Sequence, residues 1–381
     1  MMVFLAIVFI WGGLGAWLAS GWLCAGTGLR WRLGVGVVLL AWATAFAWTM
    51  LWQLRTGNRL PRPVDFALSL SLPWFVWMPC VFGLLEVLRL LRLAPAGMPG
   101  RRIFGLCTLG LLVLLTAYGM WNASRPRVTV HALFMDKLKG PLDVVVVSDL
   151  HLGSPSARLG FIRAAAEQVE ALRPDLVLMP GDILDWAPAP LADEALMAQV
   201  GRFRGRYGTF ACEGNHDVYA GALQDVVRRL AQLGIDLLRD EAKTVETPAG
   251  PVVIAGRSWP REERHFAGRN VGGRPSAAAL FASVPDEALR VVLDHSPMFY
   301  KEALDEADLQ VSGHTHNGQF FPASLAAQLL FDNAWGVLRT NRLTQVTTCG
   351  LSTWSAPVRL PSYPEIMLLR LTPAGAGTPA E

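Results

Sequence analysis

Long apolar stretches dominate the first third of the chain. Four of them, at about residues 3–26, 33–53, 66–88 and 103–121, reach or approach the roughly 20 residues that a helix needs to cross a bilayer. The first is not typical of a signal peptide, because no Lys or Arg precedes it, its apolar run is too long and three similar stretches follow. The pattern predicts a transmembrane region of about four helices over residues 1–121.

The third stretch is irregular. Pro73 and Pro79 interrupt it and Glu86 lies near its end, which predicts a kinked or re-entrant helix. Glu86 is expected at the membrane interface, close to Arg89 and Arg92, rather than as a functional acid inside the membrane. Since the stretches otherwise lack charged residues, no transport pathway is expected.

After residue 121 the pattern changes to that of an α/β domain. Residues 122–142 are predicted to form a linker and a first strand, because a polar, Pro-containing segment precedes an alternating one at 128–134. The Val-rich run 142–147 is typical of a strand buried on both faces. Strands that first alternate with helices and then follow one another predict two packed sheets with helices outside, over residues 143–381. The predicted helices are 158–172, a segment after Asp185 that runs through Gly201, and 223–233. The further predicted strands are 176–179, 207–212, 243–247, 251–255, 290–293, 309–312, 343–348 and 366–371.

Composition agrees with this division. Hydrophobic residues make up 52% of the chain and charged residues only 17%, and ten of the fourteen tryptophans precede Asn122, as membrane interfaces favour. A net charge of +3 without a basic run argues against a nucleic-acid partner. The five cysteines form no Cys-x-x-Cys pair, which argues against a disulfide scaffold and a zinc–thiolate site.

The chemistry of the chain is concentrated in one stretch, residues 311–319. His314 and His316 stand two residues apart between Gly313 and Gly318, so an extended backbone would place both rings on one face and the glycines let it turn them to one point. Nitrogen and oxygen donors from five places, with no thiolate, suit a pair of divalent ions. Ordinary polar loop residues would explain one such motif better than five in order. The other four are Asp149-Leu150-His151, Gly181-Asp182-Ile183-Leu184-Asp185, Gly214-Asn215-His216-Asp217 and His295.

In this order the motifs resemble those of the calcineurin-like metallophosphoesterases, from about Asp143 to the C-terminus. The tail, with Cys349-Gly350-Leu351-Ser352, Val358-Arg359-Leu360 and Pro364-Glu365-Ile366, resembles the bacterial membrane-associated branch. The resemblance implies a four-layer α/β/β/α domain and two metal ions. It places one ion on Asp149, His151, Asp182 and His316, and the other on Asp182, Asn215, His295 and His314, with Asp182 bridging.

The resemblance also implies a mechanism. Two cations would activate a water for in-line attack on phosphorus, and His216 would protonate the leaving group. We expect Asp217 to orient the ring of His216 and Asp185 to support the ligands from behind. Manganese is the expected ion, although iron, zinc or cobalt fit the same donors. His131 and His265 match no motif and are interpreted as surface or packing residues.

The motifs bear on the substrate as well. Protein phosphatases of this superfamily carry Asp-Arg and a final Glu where this chain has Asp185-Trp186 and Asp217, which argues against a phosphoprotein. An anchor instead indicates a lipid-linked phosphodiester or pyrophosphate, with UDP-diacylglucosamine as the leading class. The alternatives are an anchored phosphodiesterase for soluble nucleotides and a noncatalytic metal-binding scaffold; a full ligand set that includes His216 counts against the scaffold. Nothing in the sequence indicates an oligomeric state.

The chain is expected to be a multi-pass protein of the inner membrane. Basic residues slightly favour a cytoplasmic catalytic domain. Those in favour are Arg55, Arg59, Arg62, Arg125, Arg127, Lys137 and Lys139; those opposed are Arg30, Arg32, Arg89, Arg92, Arg101 and Arg102.

Residues 320–335, directly after the paired histidines, allow two interpretations. Phe321, Leu325 and Leu329 recur at helical spacing, and Pro322 and Ser324 make a plausible helix start. The helix is either a short core element or a hydrophobic surface beside the metals that enters the bilayer.

Overall fold

The computed structural model of the chain describes residues 2–56, 59–260, 274–340 and 342–373. They form two compact units, one of residues 1–122 with 355–358 and the other of residues 123–354 with 359–381. His265 lies outside the described residues.

The N-terminal unit is helical. Four of its segments are long and apolar enough to cross a membrane, Ala6–Leu23, Leu29–Gln53, Arg62–Leu90 and Met98–Ala123, as the sequence predicted. The helices are α1 (Met2–Leu23), α2 (Leu29–Thr56), α3 (Arg62–Ser69), α4 (Ser71–Leu90) and α5 (Met98–Ala123).

The third segment is broken, because α3 ends at Ser69 and α4 begins at Ser71. The break lies just before Pro73, which has no N–H to donate to the carbonyl of Ser69 and whose ring crowds that carbonyl. Pro79 is accommodated inside α4. Near the end of α4, Glu86 pairs with Arg89 at 2.5 Å and accepts a hydrogen bond from Nε1 of the buried Trp22 at 3.2 Å.

Two six-stranded sheets form the frame of the C-terminal unit. The first has the order β1-β12-β2-β3-β4-β5, and the second has the order β10-β11-β9-β8-β7-β6. The strands of the first sheet are β1 (Arg127–Phe134), β2 (Leu142–Val146), β3 (Leu176–Pro180), β4 (Thr209–Cys212), β5 (Asp236–Leu237) and β12 (Glu365–Thr372). Those of the second are β6 (Glu241–Thr247), β7 (Gly250–Gly256), β8 (Leu289–Leu293), β9 (Leu309–Ser312), β10 (Gly336–Arg339) and β11 (Thr344–Thr347).

Within each sheet the strands that lead toward the motifs run parallel. Strands β2, β3 and β4 pair in parallel in the first sheet, and β7, β8, β9 and β11 do so in the second. The last strand, β12, lies between β1 and β2, parallel to the former and antiparallel to the latter. Because parallel strands end at the same edge, their following loops meet there.

Three apolar layers hold the sheets together. Alternate residues of the first sheet, such as Val144 and Leu178, pack against Val291 and Val311 of the second. Its other face packs against helices that include α6 and α7. The outer face of the second sheet is covered by shorter turns, among them α10. The predicted α/β/β/α layering is therefore confirmed. The helices of this unit are α6 (Leu159–Leu172), α7 (Glu194–Val200), α8 (Asn215–Tyr219), α9 (Leu223–Gln232), α10 (Ala277–Leu280) and α11 (Ala323–Leu330).

Candidate metal centre

The predicted site residues converge at one edge of the two sheets. Each follows the carboxyl end of a parallel strand: β2, β3 and β4 from the first sheet, and β8 and β9 from the second. All but His314 are buried, and His314 is half-buried. The structure thus brings together the seven residues Asp149, His151, Asp182, Asn215, His295, His314 and His316.

The backbone of this site is in an unusual conformation. Five of the seven residues have φ in the left-handed region, with values of 55° for Asp149, 41° for His151, 53° for Asp182, 72° for His314 and 49° for His316. Such conformations are costly for residues with a Cβ atom and concentrate at functional sites. Each turns a side chain sharply off the end of its strand toward the shared edge.

Two glycines allow this crowding. A Cβ atom on Gly214 would lie 2.1 Å from Oδ1 of Asp182, and one on Gly313 would lie 2.3 Å from Oδ2 of Asp149. Both distances are far inside van der Waals contact. The carboxylates of Asp182 and Asp149 therefore occupy the space that the Cβ atom of any residue other than glycine would fill at positions 214 and 313.

One group of donors consists of Asp149, His151 and His316. The Nε2 atoms of His151 and His316 lie 3.1 Å apart. Oδ1 of Asp149 is 3.8 Å from Nε2 of His151 and 3.5 Å from Nε2 of His316. Three donors so close to one another could hold a single metal ion.

A second group consists of Asp182, Asn215, His295 and His314. Nδ1 of His314 is 3.0 Å from Oδ1 of Asn215 and 3.3 Å from Nε2 of His295. Nε2 of His295 is in turn 3.1 Å from Oδ2 of Asp182. The same Oδ2 atom is 3.6 Å from Nε2 of His151, so Asp182 lies between the two groups.

The donor set fits divalent cations. Nδ1 of His295 is 2.7 Å from the carbonyl oxygen of Pro180, to which it donates, so Nε2 of the neutral ring is an acceptor facing a carboxylate. Nε2 of His295 and Oδ2 of Asp182 are both acceptors, and at a separation of 3.1 Å they require a proton or a cation between them. His151 is held in the same way, with Nδ1 3.0 Å from the carboxylate of Asp185 and Nε2 facing inward.

In the metal-free protein a proton fills part of this role. Burial opposes a charged ring at His295, but the nearby carboxylates, Asp182 foremost, outweigh it and raise the pKa of His295 to about 10. Burial, with the charge of His295, lowers the pKa of His314 to about 3. Burial raises the pKa of Asp149 to about 6. The site thus holds a proton that a metal ion would displace.

The surroundings of His216 differ from the sequence interpretation. Its Nδ1 atom lies 3.1 Å from the backbone oxygen of Asp185 and 3.2 Å from Oδ1 of the same residue. The carboxylate of Asp217 instead accepts hydrogen bonds from the backbone N–H groups of Gly214 at 2.9 Å and Leu184 at 2.8 Å. The ring of His216 is therefore oriented by Asp185, and the carboxylate of Asp217 ties two loops together.

Aromatic rings stand on both sides of the centre, and the sequence interpretation did not include them. The Trp186 ring meets the His216 ring edge-on at 4.9 Å and stacks on Tyr219 at 5.6 Å. On the other side, Trp259 lies 5.4 Å from the His314 ring. Trp186 could have been recognised from the sequence because it directly follows Asp185. Trp259 follows β7 and belongs to no motif.

A buried arginine was also missed. Arg359 is fully buried, and its Nη2 atom lies 3.2 Å from Nδ1 of His316. Its guanidinium also donates to the backbone oxygens of Cys349 at 2.8 Å and Gly350 at 3.0 Å. Gly350 packs directly on Asp149. The tail motif thus contacts two proposed ligands, His316 through Arg359 and Asp149 through Gly350, and supports their positions.

Buried carboxylates, imidazoles and one amide at the shared edge of two sheets form a site whose donors fit divalent metal ions. Residues 142–318 match the family model of the calcineurin-like phosphoesterases. The protein belongs to this family and is a metal-dependent phosphoesterase.

Relatives occur in bacteria and in vertebrates. An uncharacterized metallophosphoesterase of Helicobacter pylori is 26% identical over 273 residues, covering 70% of each chain. A Bos taurus protein named transmembrane protein with metallophosphoesterase domain is 30% identical over 283 residues, which cover 68% of this chain and 61% of that one. The resemblance is therefore broader than a bacterial branch.

Solved structures include a dimetal phosphatase from Danio rerio, with a TM-score of 0.35 and 13% identity over 58% of this chain and 89% of that one. A phosphopantetheinyl hydrolase from Mycobacterium tuberculosis has a TM-score of 0.37 and 12% identity, over 62% of this chain and 98% of that one.

Proposed function

We propose that the protein is a membrane-anchored phosphodiesterase or pyrophosphatase that works with two metal ions. One ion is held by Asp149, His151, Asp182 and His316, and the other by Asp182, Asn215, His295 and His314. The observation that supports this most directly is the place of Asp182, whose Oδ2 atom is 3.1 Å from a ring nitrogen of one group and 3.6 Å from a ring nitrogen of the other. A carboxylate shared between two donor groups suits a pair of ions.

The ions, when bound, would supply an activated water and neutralise charge on the phosphoryl oxygens. The protein groups have separate tasks. Nδ1 of His216 is held at Asp185, and burial lowers the pKa of the ring in the metal-free protein. When the ring is protonated, Nε2 carries the proton that it gives to the leaving oxygen. Asp185 also holds His151, so one carboxylate sets the position of both the acid and a ligand. Manganese is the ion of choice for the first assays.

A lipid-linked substrate is the proposed class, with UDP-diacylglucosamine as the first member to test. Four helices that are long and apolar enough to cross a membrane support this class, because they would keep the enzyme beside lipids. At the site, Trp186 follows Asp185 where the superfamily's protein phosphatases carry arginine, and its ring stacks on the exposed Tyr219. These rings suit an uncharged or planar group beside the phosphate better than a phosphoprotein.

The same pair of rings favours a second candidate. Stacked aromatic side chains beside a catalytic histidine suit a nucleobase, so an anchored phosphodiesterase for soluble nucleotides is the alternative. The noncatalytic scaffold is disfavoured because the donor groups and His216 are present together.

We also propose that the protein lies in the inner membrane with the catalytic unit in the cytoplasm. The support is the slight excess of basic residues on that side of the four spans. A periplasm-dependent reporter fused to the C-terminus tests this, and activity of the reporter would reverse the orientation.

One assay tests the function. Purified full-length protein with Mn²⁺ is given detergent-dispersed UDP-diacylglucosamine, cyclic nucleotides and bis-p-nitrophenyl phosphate, with Asp182→Ala as the control. Turnover of the lipid above the nucleotides supports the proposal. Turnover of nucleotides alone supports the alternative, and a wild-type protein no more active than the control would refute both.

A further inference from the structure

Residues 320–335, which include α11, form an apolar surface rather than a core helix. Leu329 is 86% exposed and Leu325 is 50% exposed. Phe321 and Leu330, at 54% and 69%, extend the same surface. The sequence carries no Asp, Glu, Lys or Arg between Asp308 and Asp332. The interpretation of this segment as a core helix is therefore wrong.

Both ends of α11 touch the metal centre. Its first turn lies against Gly318, two residues after His316, where a Cβ atom would come within 2.3 Å of the carbonyl oxygen of Ala323. After the helix, the Phe331 ring returns to within 6.2 Å of the His314 ring. The helix is thus next to the proposed ligands His316 and His314 through the segments at its two ends.

The far end of the segment lies at the corner where the polypeptide enters the catalytic unit. Nε1 of Trp335 donates to Glu365 at 3.1 Å, and its ring is 6.2 Å from the ring of Tyr363. The guanidinium of Arg127 lies over Tyr363, 5.0 Å from the ring centroid. Arg127 is the first residue of β1, and only three residues separate it from the end of α5, a candidate membrane helix.

We propose that residues 320–335 enter the surface of the lipid bilayer and guide the apolar part of a lipid substrate to the metals; this rests on the function proposed above. An amphipathic helix with exposed leucines buries them at the boundary of headgroups and acyl chains, and tryptophan prefers the headgroup level. A bilayer is favoured over a protein partner for two reasons. The segment lies where the polypeptide leaves the last candidate membrane helix, and its leucine-bearing part, residues 320–331, contains no charged side chain.

Membrane contact is tested by depth-dependent quenching in full-length protein. Cys24, Cys80 and Cys107 are replaced by Ser, which leaves the buried Cys212 and Cys349. Leu329→Cys then receives an environment-sensitive fluorophore. The matched control is Arg228→Cys on α9, where the native side chain is 68% exposed. Both proteins are placed in nanodiscs of phosphatidylcholine with or without bromine on the acyl chains.

We expect a blue-shifted emission and quenching by the brominated chains at residue 329, and neither at residue 228. Quenching of the label at 329 by aqueous iodide, with none by the brominated chains, would show that the segment faces water and would overturn the proposal. A label shielded from both quenchers would overturn it in favour of a protein partner or a second copy of the chain. None of these readings depends on catalysis.

The guiding role is tested with the double variant Leu325→Gln/Leu329→Gln, with Leu325→Met/Leu329→Met as its control. We expect turnover of UDP-diacylglucosamine in nanodiscs to fall about tenfold or more while kcat/KM for bis-p-nitrophenyl phosphate stays the same. Equal losses on both substrates would contradict a guiding role. If the wild-type protein cleaves only the soluble diester, the proposed lipid substrate fails and the guiding role with it, whereas quenching at residue 329 would still establish the membrane contact.

Discussion

The carboxylate of Asp185 lies 3.0 Å from Nδ1 of His151, behind a proposed metal ligand, and the same oxygen is 3.2 Å from Nδ1 of His216. One carboxylate thus links metal binding to proton transfer. For Asp185→Asn we expect metal affinity to fall by about 10- to 100-fold, as for other groups behind a ligand. Titration of the apo-protein with Mn²⁺ measures this. Unchanged Mn²⁺ affinity together with lost activity would mean that Asp185 acts only through His216, the proposed general acid.

Asp217→Asn separates a structural role from a catalytic one. The carboxylate of Asp217 accepts from two backbone N–H groups, and an amide supplies only one acceptor oxygen. We expect a loss of about 1–3 kcal/mol in stability, seen as a lower melting temperature, with a smaller effect on kcat than for His216→Ala. A fall in kcat as large as that of His216→Ala, with melting unchanged, would restore the role in catalysis that the sequence suggested.

Asp182→Ala is expected to remove both ions, since its carboxylate lies between the two donor groups. Hydrolysis should vanish and bound metal, measured by mass spectrometry, should fall sharply. Asp149→Ala is the comparison, because that carboxylate belongs to one group and should mainly affect one ion. Two metals per chain retained by the Asp182 variant would contradict the bridging arrangement.

His216→Ala should keep both ions and lower kcat by about 10²–10⁴, which is the usual contribution of a general acid. The loss should be smaller for p-nitrophenol, which leaves without a proton, than for an alkoxide. Rates on the two esters measure the difference. Equal losses would indicate that the ring does not protonate the leaving group.

Metal binding should release protons near neutral pH. With its pKa raised from an ordinary value near 6.5 to about 10, His295 is protonated at pH 7 in the metal-free protein. Protonation of His295 stabilises the metal-free protein. This stabilisation is complete below about pH 6.5 and is lost as the pH rises through about 10. An ion must displace this proton, so affinity should rise with pH across that window. Calorimetry at pH 7 in two buffers of different ionisation enthalpy measures the release, and His295→Gln should reduce it.

Repeated patterns made most of the fold predictable from sequence. The predicted strand at 142–147 and the predicted helix at 158–172 match β2 and α6 closely. Each segment is long enough for its apolar residues to show the pattern of a strand or of a helix. Short elements left no such signal. β5 has two residues and α8 has five, and both were missed. β10, Gly336–Arg339, begins directly after the segment 320–335 and was also missed.

The site was predictable to the extent that its residues lie in contiguous motifs. Asp182 and His314 could be identified because glycine neighbours mark their turns. Arg359 could not, since its contact with His316 joins positions 43 residues apart. The partner of His216 was misassigned for a related reason, because the sequence shows the adjacent Asp217 but not the loop that brings Asp185 closer.

The position of β12 between β1 and β2 makes the first sheet depend on a strand that follows every proposed ligand in the sequence. Each proposed ion takes ligands from both sheets, so its complete ligand set needs both sheets. The first sheet in turn is continuous only after its last strand, Glu365–Thr372, is in place. A chain that stops before β12 would keep every proposed ligand but lose the strand that joins β1 to β2. We expect such a chain to bind metal less tightly than the full sequence, because one of the two sheets that gather the ligands is incomplete.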